Sequence, residues 1–276
     1  MTSVAIATDT SACLPDAAIG RAGLFVLPIG LVVAGRRLSD GPHAWPEVHR
    51  ALAVGDPVLT TSPSPVDYLQ AVDAAGGSMV IVTPAAELAV MHRNAVLAAR
   101  LACSPVEVVD TRTAAAGHGL AVLAGLDAIE AGADLAGVAA AVRAVSARVR
   151  MVAAVPARAS GPNRCAPGAA ASPAGGAPHD AGQPQVFEIH DGAIVPVGAP
   201  AGSDPIEIMA RTWHRSMASS TGSRRTAVFH NGDGPGAARL RADLSGDAML
   251  VPVSPALAVH LGPACVGVAW HEHVAP

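Results

Sequence analysis

The sequence predicts an α/β fold in two parts: a parallel sheet flanked by helices, then a smaller α/β domain with some antiparallel pairing. Three observations carry this. Short continuous apolar runs at 4–7, 24–33, 79–82 and 106–109 have strand length and alternate with helical patterns, as buried parallel strands do. A stretch of Ala, Gly, Pro and Ser from 156 to 184 breaks the alternation. Beyond it, Asp191-Gly192 joins two short apolar runs, which is the signature of a hairpin. The expected organisation is an N-terminal α/β domain at 1–156, a Gly/Pro/Ala-rich loop at 157–184 and a C-terminal α/β domain at 185–276.

In order, the first strand is 4–7, and a longer strand at 24–33 is broken by Pro28. A helix is expected over 66–74, a strand over 79–82, an Ala-rich helix over 88–103 ended by Ser104-Pro105, and a strand over 106–109. Residues 120–149 read as two helices joined at Ala131-Gly132-Ala133. The second has Arg143, Arg148 and Arg150 toward its end, where positive charge suits the helix dipole. After the hairpin come a helix (206–217), a strand (226–230), a helix near 236–244, a strand (249–253) and a last strand (266–270).

Composition narrows the function. Of 276 residues, 51% are hydrophobic, only 14% are charged and only 3% are aromatic, so the apolar mass is Ala, Val and Leu. All 18 basic residues are Arg, which fits a GC-rich coding background before it fits a function. A net charge of −4 offers no basic surface for a run of phosphates, so no nucleic acid partner is expected. The opening residues run straight into the first strand with no positive segment ahead, and the longest apolar stretch holds Pro28 and Gly30. No signal peptide, no membrane insertion and a cytoplasmic location are therefore expected. Four scattered cysteines without CxxC or Cys/His spacing read as free thiols.

No catalytic residues are expected. There is no G-x-S-x-G elbow and no G-x-G-x-x-G after the first strand. His271-Glu272-His273 resembles half a metal site, but on a strand Glu272 faces away from the two histidines. It reads as an exposed tail, and no metal or cofactor is expected. The chemically suggestive segment is Thr60-Thr61-Ser62, directly ahead of Ser64-Pro65-Val66-Asp67. Ser64 has N-cap chemistry, Pro65 suits the first helical position, and Asp67 completes a capping box. Three hydroxyls beside the positive end of a helix can hold a carboxylate or acyl phosphate. An ordinary cap whose hydroxyls serve only the backbone explains the same residues.

Several segments, in order, resemble the DegV family. Thr8-Asp9-Thr10-Ser11-Ala12-Cys13-Leu14-Pro15 resembles its T-D-S-x-x-x-L-P turn, and Leu27-Pro28-Ile29 and Asp40-Gly41 its V-P-L strand and D-G turn. Thr60-Thr61-Ser62-Pro63-Ser64-Pro65 matches T-S-Q-P-S-P. Val106-Glu107-Val108-Val109-Asp110-Thr111, leading to Gly117-His118-Gly119, matches V-x-V-x-D-S/T. His260-Leu261-Gly262-Pro263-Ala264-Cys265-Val266-Gly267 matches H-x-G-P-G-x-x-G. The resemblance implies a two-domain, non-enzymatic carrier with a fatty acid buried between the domains and presented to a fatty acid kinase. It places Thr60, Thr61, Ser62, His260, Gly262 and Arg164 at the lipid. Thr60 and Thr61 would hold the acid, His260 would donate to it, and Arg164, a relic of a G-G-R turn, would suit a phosphate or an acidic partner face. A core histidine and a solvated loop arginine are the plain alternatives.

Two segments depart from the family. Its S-S-x-L-S-G-T is here Ala85-Ala86-Glu87-Leu88-Ala89-Val90-Met91, without a hydroxyl, and its basic run is here Gly198-Ala199-Pro200-Ala201-Gly202-Ser203-Asp204. Losing one neutral donor to a carboxylate costs roughly 1.5–3 kcal/mol, against roughly 0.8 kcal/mol gained per buried methylene. The alternative function is therefore a divergent member that binds another apolar small molecule, with the kinase role lost.

Overall fold

The computed structural model describes residues 3–155, 185–198, 202–218, 224–232, 234–244, 247–262 and 264–272. Its first half runs β1 (Val4–Asp9), α1 (Asp16–Ile19), β2 (Leu24–Leu27), β3 (Gly30–Val33), β4 (Arg36–Ser39), α2 (Trp45–Val54), β5 (Val58–Thr61), α3 (Pro65–Ala75), β6 (Ser78–Thr83), α4 (Met91–Leu101), β7 (Val106–Asp110), α5 (Ala115–Glu130) and α6 (Leu135–Ser146). Its second half runs β8 (Arg150–Val155), β9 (Gln185–His190), β10 (Ala193–Pro196), α7 (Pro205–Met217), β11 (Arg224–His230), α8 (Gly234–Asp243), β12 (Met249–Pro252), α9 (Pro255–Leu261) and β13 (Val266–Glu272).

The expected parallel sheet is present, with strand order β2-β1-β6-β7. β6 is buried along its whole length, as its unbroken apolar run requires. The expected single strand at 24–33 is two strands. Pro28, which lacks an amide donor, ends β2 in the parallel sheet, and β3 turns away into a small antiparallel sheet of order β4-β3-β5. That sheet lay outside the sequence expectation, because its strands are four residues long and β4 is Arg-rich.

The second sheet has order β10-β9-β8-β13-β11-β12, antiparallel except for β11 with β12. The D-G hairpin is formed: Asp191 (φ 49°) and Gly192 (φ 79°) both take the left-handed conformation of a type I′ turn. β8 lies ahead of the residue 156 boundary but pairs with β9 and β13 of the second sheet. The Gly/Pro/Ala-rich segment 157–184, and Arg164 within it, lie outside the described residues.

α5 sits between the two large sheets and touches β1 and β6 on one side and β8, β11 and β13 on the other. A helix walled by sheets must be apolar all round, and α5 buries Leu120, Val122, Leu123 and Leu126 on successive faces. Each such side chain contributes about 1.5–3 kcal/mol of burial. Close approach needs small residues: a Cβ on Gly119 would lie 2.1 Å from the Ala12 carbonyl oxygen. One apolar core therefore joins both halves, from Ile6 and Val82 through Leu120 to Met151, Phe229 and Ala269.

Candidate head-group site between β5 and α9

The helix start after Thr60-Thr61-Ser62 is built as its residues dictate. Ser64 accepts the Asp67 amide, Asp67 accepts the Ser64 amide at 2.7 Å, and Pro65 opens α3. Thr60 and Thr61 themselves lie on β5, not in the loop. Neighbours on a strand point to opposite faces, so the two hydroxyls part company.

Thr60 shares the inner face with Val58. Its Oγ1 is hydrogen-bonded to His260 Nε2 at 2.9 Å, from the last turn of α9. Thr61 points the other way, beside Gly30, where a Cβ would lie 2.2 Å from the Thr61 hydroxyl oxygen. There Thr61 and Ser62 line a cavity of about 380 Å³ with Phe25, Leu27, Pro28 and Gln70. The structure thus brings Thr60 and His260 together and sets Thr61 and Ser62 apart from them.

α9 follows Ser254, whose hydroxyl accepts the Leu257 amide at 3.2 Å, with Pro255 as its first residue. Gly262 ends it at φ 82°, a left-handed conformation open to glycine at little cost. Its carbonyl accepts from Asn231 Nδ2 at 3.0 Å. The His260 side chain reaches solvent, yet the elements around its ring desolvate it enough to lower its pKa below the ordinary histidine value. Neutral at pH 7, it carries one N–H to offer. Behind this pair lies an apolar cluster that includes Ile29, Leu31, Val48, Val58, Met91 and Val259. The arrangement is a polar pair at the edge of a packed apolar cluster.

The hydroxyl-free segment lies beside the same cluster. The expected helix from 88 begins only at Met91, after a turn in which the Leu88 amide donates to the Ala85 carbonyl. Ala85 is buried against Thr113, Ala86 donates its amide to Asp110, and Ala89 packs on the apolar cluster. This turn follows β6 at the carboxyl edge of the parallel sheet, next to β1, where the strand order reverses. Open α/β sheets bind their ligands in that crevice.

Three polar groups near the site carried little sequence signal. Asp40 and Thr10 are linked to each other and to α9, and Asn231 braces Gly262. The first two stand inside family-like turns, but their partners come only with the fold. Beneath the site, buried His118 shares Nε2 with the Val82 carbonyl at 3.2 Å and Thr8 Oγ1 at 2.9 Å. A carbonyl only accepts, so Nε2 carries the proton and Nδ1 is left buried without a partner. Burial lowers the His118 pKa and keeps the ring neutral.

The expectation of an exposed tail at His271-Glu272 is wrong for His271. It is a buried residue of β13, held in the sheet opposite Arg225, while His273 lies outside the described residues. Among the described residues no cluster of three or more His, Cys, Asp or Glu is placed to hold a metal, and no helix is long and apolar enough to cross a membrane. Cys13, Cys103 and Cys265 are free, and burial pushes the Cys265 thiol up to about 12.

Residues 3–157 match the family model described as "Uncharacterised protein, DegV family". The chain is 35% identical over 133 residues to the DegV domain-containing protein SCO2569 of Streptomyces coelicolor, covering 46% of this chain and 47% of that protein. It is 27% identical over 128 residues to the DegV domain-containing protein TTE1491 of Caldanaerobacter subterraneus, covering 45% and 46%. These matches span about half the length of each relative.

The fold is shared with a fatty-acid-binding DegV family protein from Thermus thermophilus (TM-score 0.83, 23% identity, 99% of this chain and 100% of that one). It is shared equally with the fatty acid binding DegV family protein SAG1342 of Streptococcus agalactiae (TM-score 0.84, 19% identity, 99% and 100%). A DegV family protein of Eubacterium eligens loaded with heptadecanoic acid also has it (TM-score 0.76, 12% identity, 98% and 100%).

Proposed function

This chain belongs to the DegV family, and from that premise we propose that it binds a long-chain fatty acid or similar lipid between its two halves. The carboxylate sits at Thr60 and His260 and the tail along the apolar cluster behind them. The observation that carries this is the Thr60–His260 hydrogen bond at the edge of that cluster. Without ligand the two side chains satisfy each other. A carboxylate replaces their one mutual bond with two bonds to a charged acceptor, each contributing about 1.5–3 kcal/mol. The fatty-acid binding of the Thermus thermophilus and Streptococcus agalactiae proteins and the heptadecanoic acid loaded in the Eubacterium eligens protein support the ligand class.

The role is carriage, not catalysis, with a fatty acid kinase as the partner that receives the exposed head group. Gly262 belongs to the mouth of the site, Thr61 and Ser62 line the separate cavity beside Pro28, and Arg164 is proposed to serve the partner or a phosphate. Free thiols accord with a reducing, cytoplasmic setting.

A second reading is favoured by one feature. With Ala85, Ala86 and Ala89 in place of hydroxyls, a lipid with a neutral head competes with the acid. Organic extraction of the purified protein followed by mass spectrometry tests both. A long-chain fatty acid at near-stoichiometric amount, lost in Thr60→Val/His260→Ala, is the expected result. A neutral lipid in its place establishes the second reading, and no acyl chain at all removes both.

A further inference from the structure

Asp40 follows β4 and is buried, and its two carboxylate oxygens serve distant parts of the chain. Oδ2 accepts from the Thr10 hydroxyl, whose oxygen in turn accepts the Ile29 amide at 3.2 Å. Oδ1 accepts the Ala256 amide at 2.9 Å, 216 residues away in the first turn of α9. A buried carboxylate is costly unless donors reach it, and here one donor comes from each half of the chain.

Ala256 and His260 stand four apart in α9, so they stack on one helix face. Whatever fixes the Ala256 amide fixes how far the His260 ring reaches toward β5. The far end of α9 is held separately, by Asn231 on the Gly262 carbonyl. A cavity of about 140 Å³ adjoins the Asp40 end, lined by Thr10, Trp45, Val253, Ser254 and Pro255, so α9 has space to move into when that end is released.

We infer that Asp40 is a positioning residue that holds α9 so that His260 stays within reach of Thr60, and so sets the preference for an acidic over a neutral head group. The preference rests on the fatty-acid reading above. The positioning does not, and it can be tested without ligand.

Imidazole nitrogen NMR of the full-length, delipidated protein gives that test, with His260→Gln assigning the His260 signal. Asp40→Ala should move this signal toward its position in Thr60→Val. Asp40→Asn, which keeps a carbonyl acceptor for the Ala256 amide, should leave it near the wild-type position. Thr10→Val, which removes one donor to Asp40, should give a smaller displacement and serves if Asp40→Ala does not fold. An unmoved His260 signal in Asp40→Ala, or in Thr10→Val where that variant stands in, overturns the inference.

A second arm compares binding of a long-chain fatty acid with that of the alcohol of equal length. Asp40→Ala should weaken the acid about tenfold, change the alcohol little, and add no further loss in a His260→Ala background. Equal losses for both ligands, additive with His260→Ala, reduce Asp40 to general stability. A wild-type protein that binds the acid no better than the alcohol defeats the proposed ligand class, and the NMR result still decides Asp40.

Discussion

The Thr60 hydroxyl and the His260 imidazole are hydrogen-bonded at 2.9 Å across 200 residues of chain. Thr61, one residue along, has its hydroxyl on the other side of β5 beside Gly30. Adjacent threonines thus serve different compartments.

Single substitutions should separate them. Thr60→Val removes a donor to the carboxylate and should weaken fatty-acid binding about ten- to a hundredfold. Thr61→Val faces the cavity beside Pro28 and should cost much less. Displacement of a fluorescent fatty acid measures both, and equal losses would place Thr61 at the head group as well.

Acid binding should depend on pH through His260. Its pKa in the free protein lies below the ordinary value, so the ring is neutral at pH 7 and one N–H serves the ligand. A neighbouring carboxylate favours the imidazolium and raises that pKa on binding. Binding then takes up a proton, and affinity should rise as pH falls through the bound-state pKa toward the lower pKa of the free protein. His260→Gln should flatten the profile, and a wild-type profile already flat from pH 8 to 5 would remove His260 from the site.

His118 should make stability pH-dependent in the same range. Its folded pKa is lowered, so below about pH 6.5, the ordinary value, the unfolded chain binds a proton that the folded chain refuses. Stability is therefore unaffected above that value and is lost progressively as pH falls from it toward the folded pKa. The thermal midpoint of His118→Gln, though lower at pH 8, should fall less steeply between pH 7 and 5 than that of the wild type. Parallel slopes would contradict a buried neutral ring.

Two glycines of α5 should respond unequally to alanine. At Gly119 the new methyl meets the backbone oxygen of Ala12 at 2.1 Å, which cannot move without shifting the loop after β1. At Gly125 it meets the tips of Ile6 and Val142 at 2.6 and 2.8 Å, which can rotate away. Urea unfolding should show losses of roughly 3 kcal/mol for Gly119→Ala and about 1 kcal/mol for Gly125→Ala. The reverse order would mean that the loop yields more easily than the core.

Restoring a hydroxyl should strengthen the site. Ala89 packs on the apolar cluster that also holds Ala256 and Val259 of α9. Ala89→Ser should raise affinity for a long-chain acid about tenfold and leave the matching alcohol unchanged. A gain for both ligands would indicate better packing and no head-group contact.

By itself the sequence determined what short-range chemistry decides. The apolar runs of β1, β6 and β7, the Ser64–Asp67 capping box and the Asp191-Gly192 hairpin are each set by residues within a few positions of one another. Ordered motif matches added the family, and with it the expectation that Thr60 and His260 share one site. The tertiary structure decided the rest. Thr60 and not Thr61 meets His260 because the pairing of β5 with β3 (Leu31 opposite Thr60, Gly30 opposite Thr61) fixes which face each threonine presents. His271 is buried because β13 is an inner strand of the second sheet, flanked by β8 and β11. Asp40 holds Ala256 because packing brings together segments 216 residues apart. A local pattern fixes a residue's conformation, but which partner its polar atoms find depends on strand register and helix docking, and these are settled only when the whole core closes.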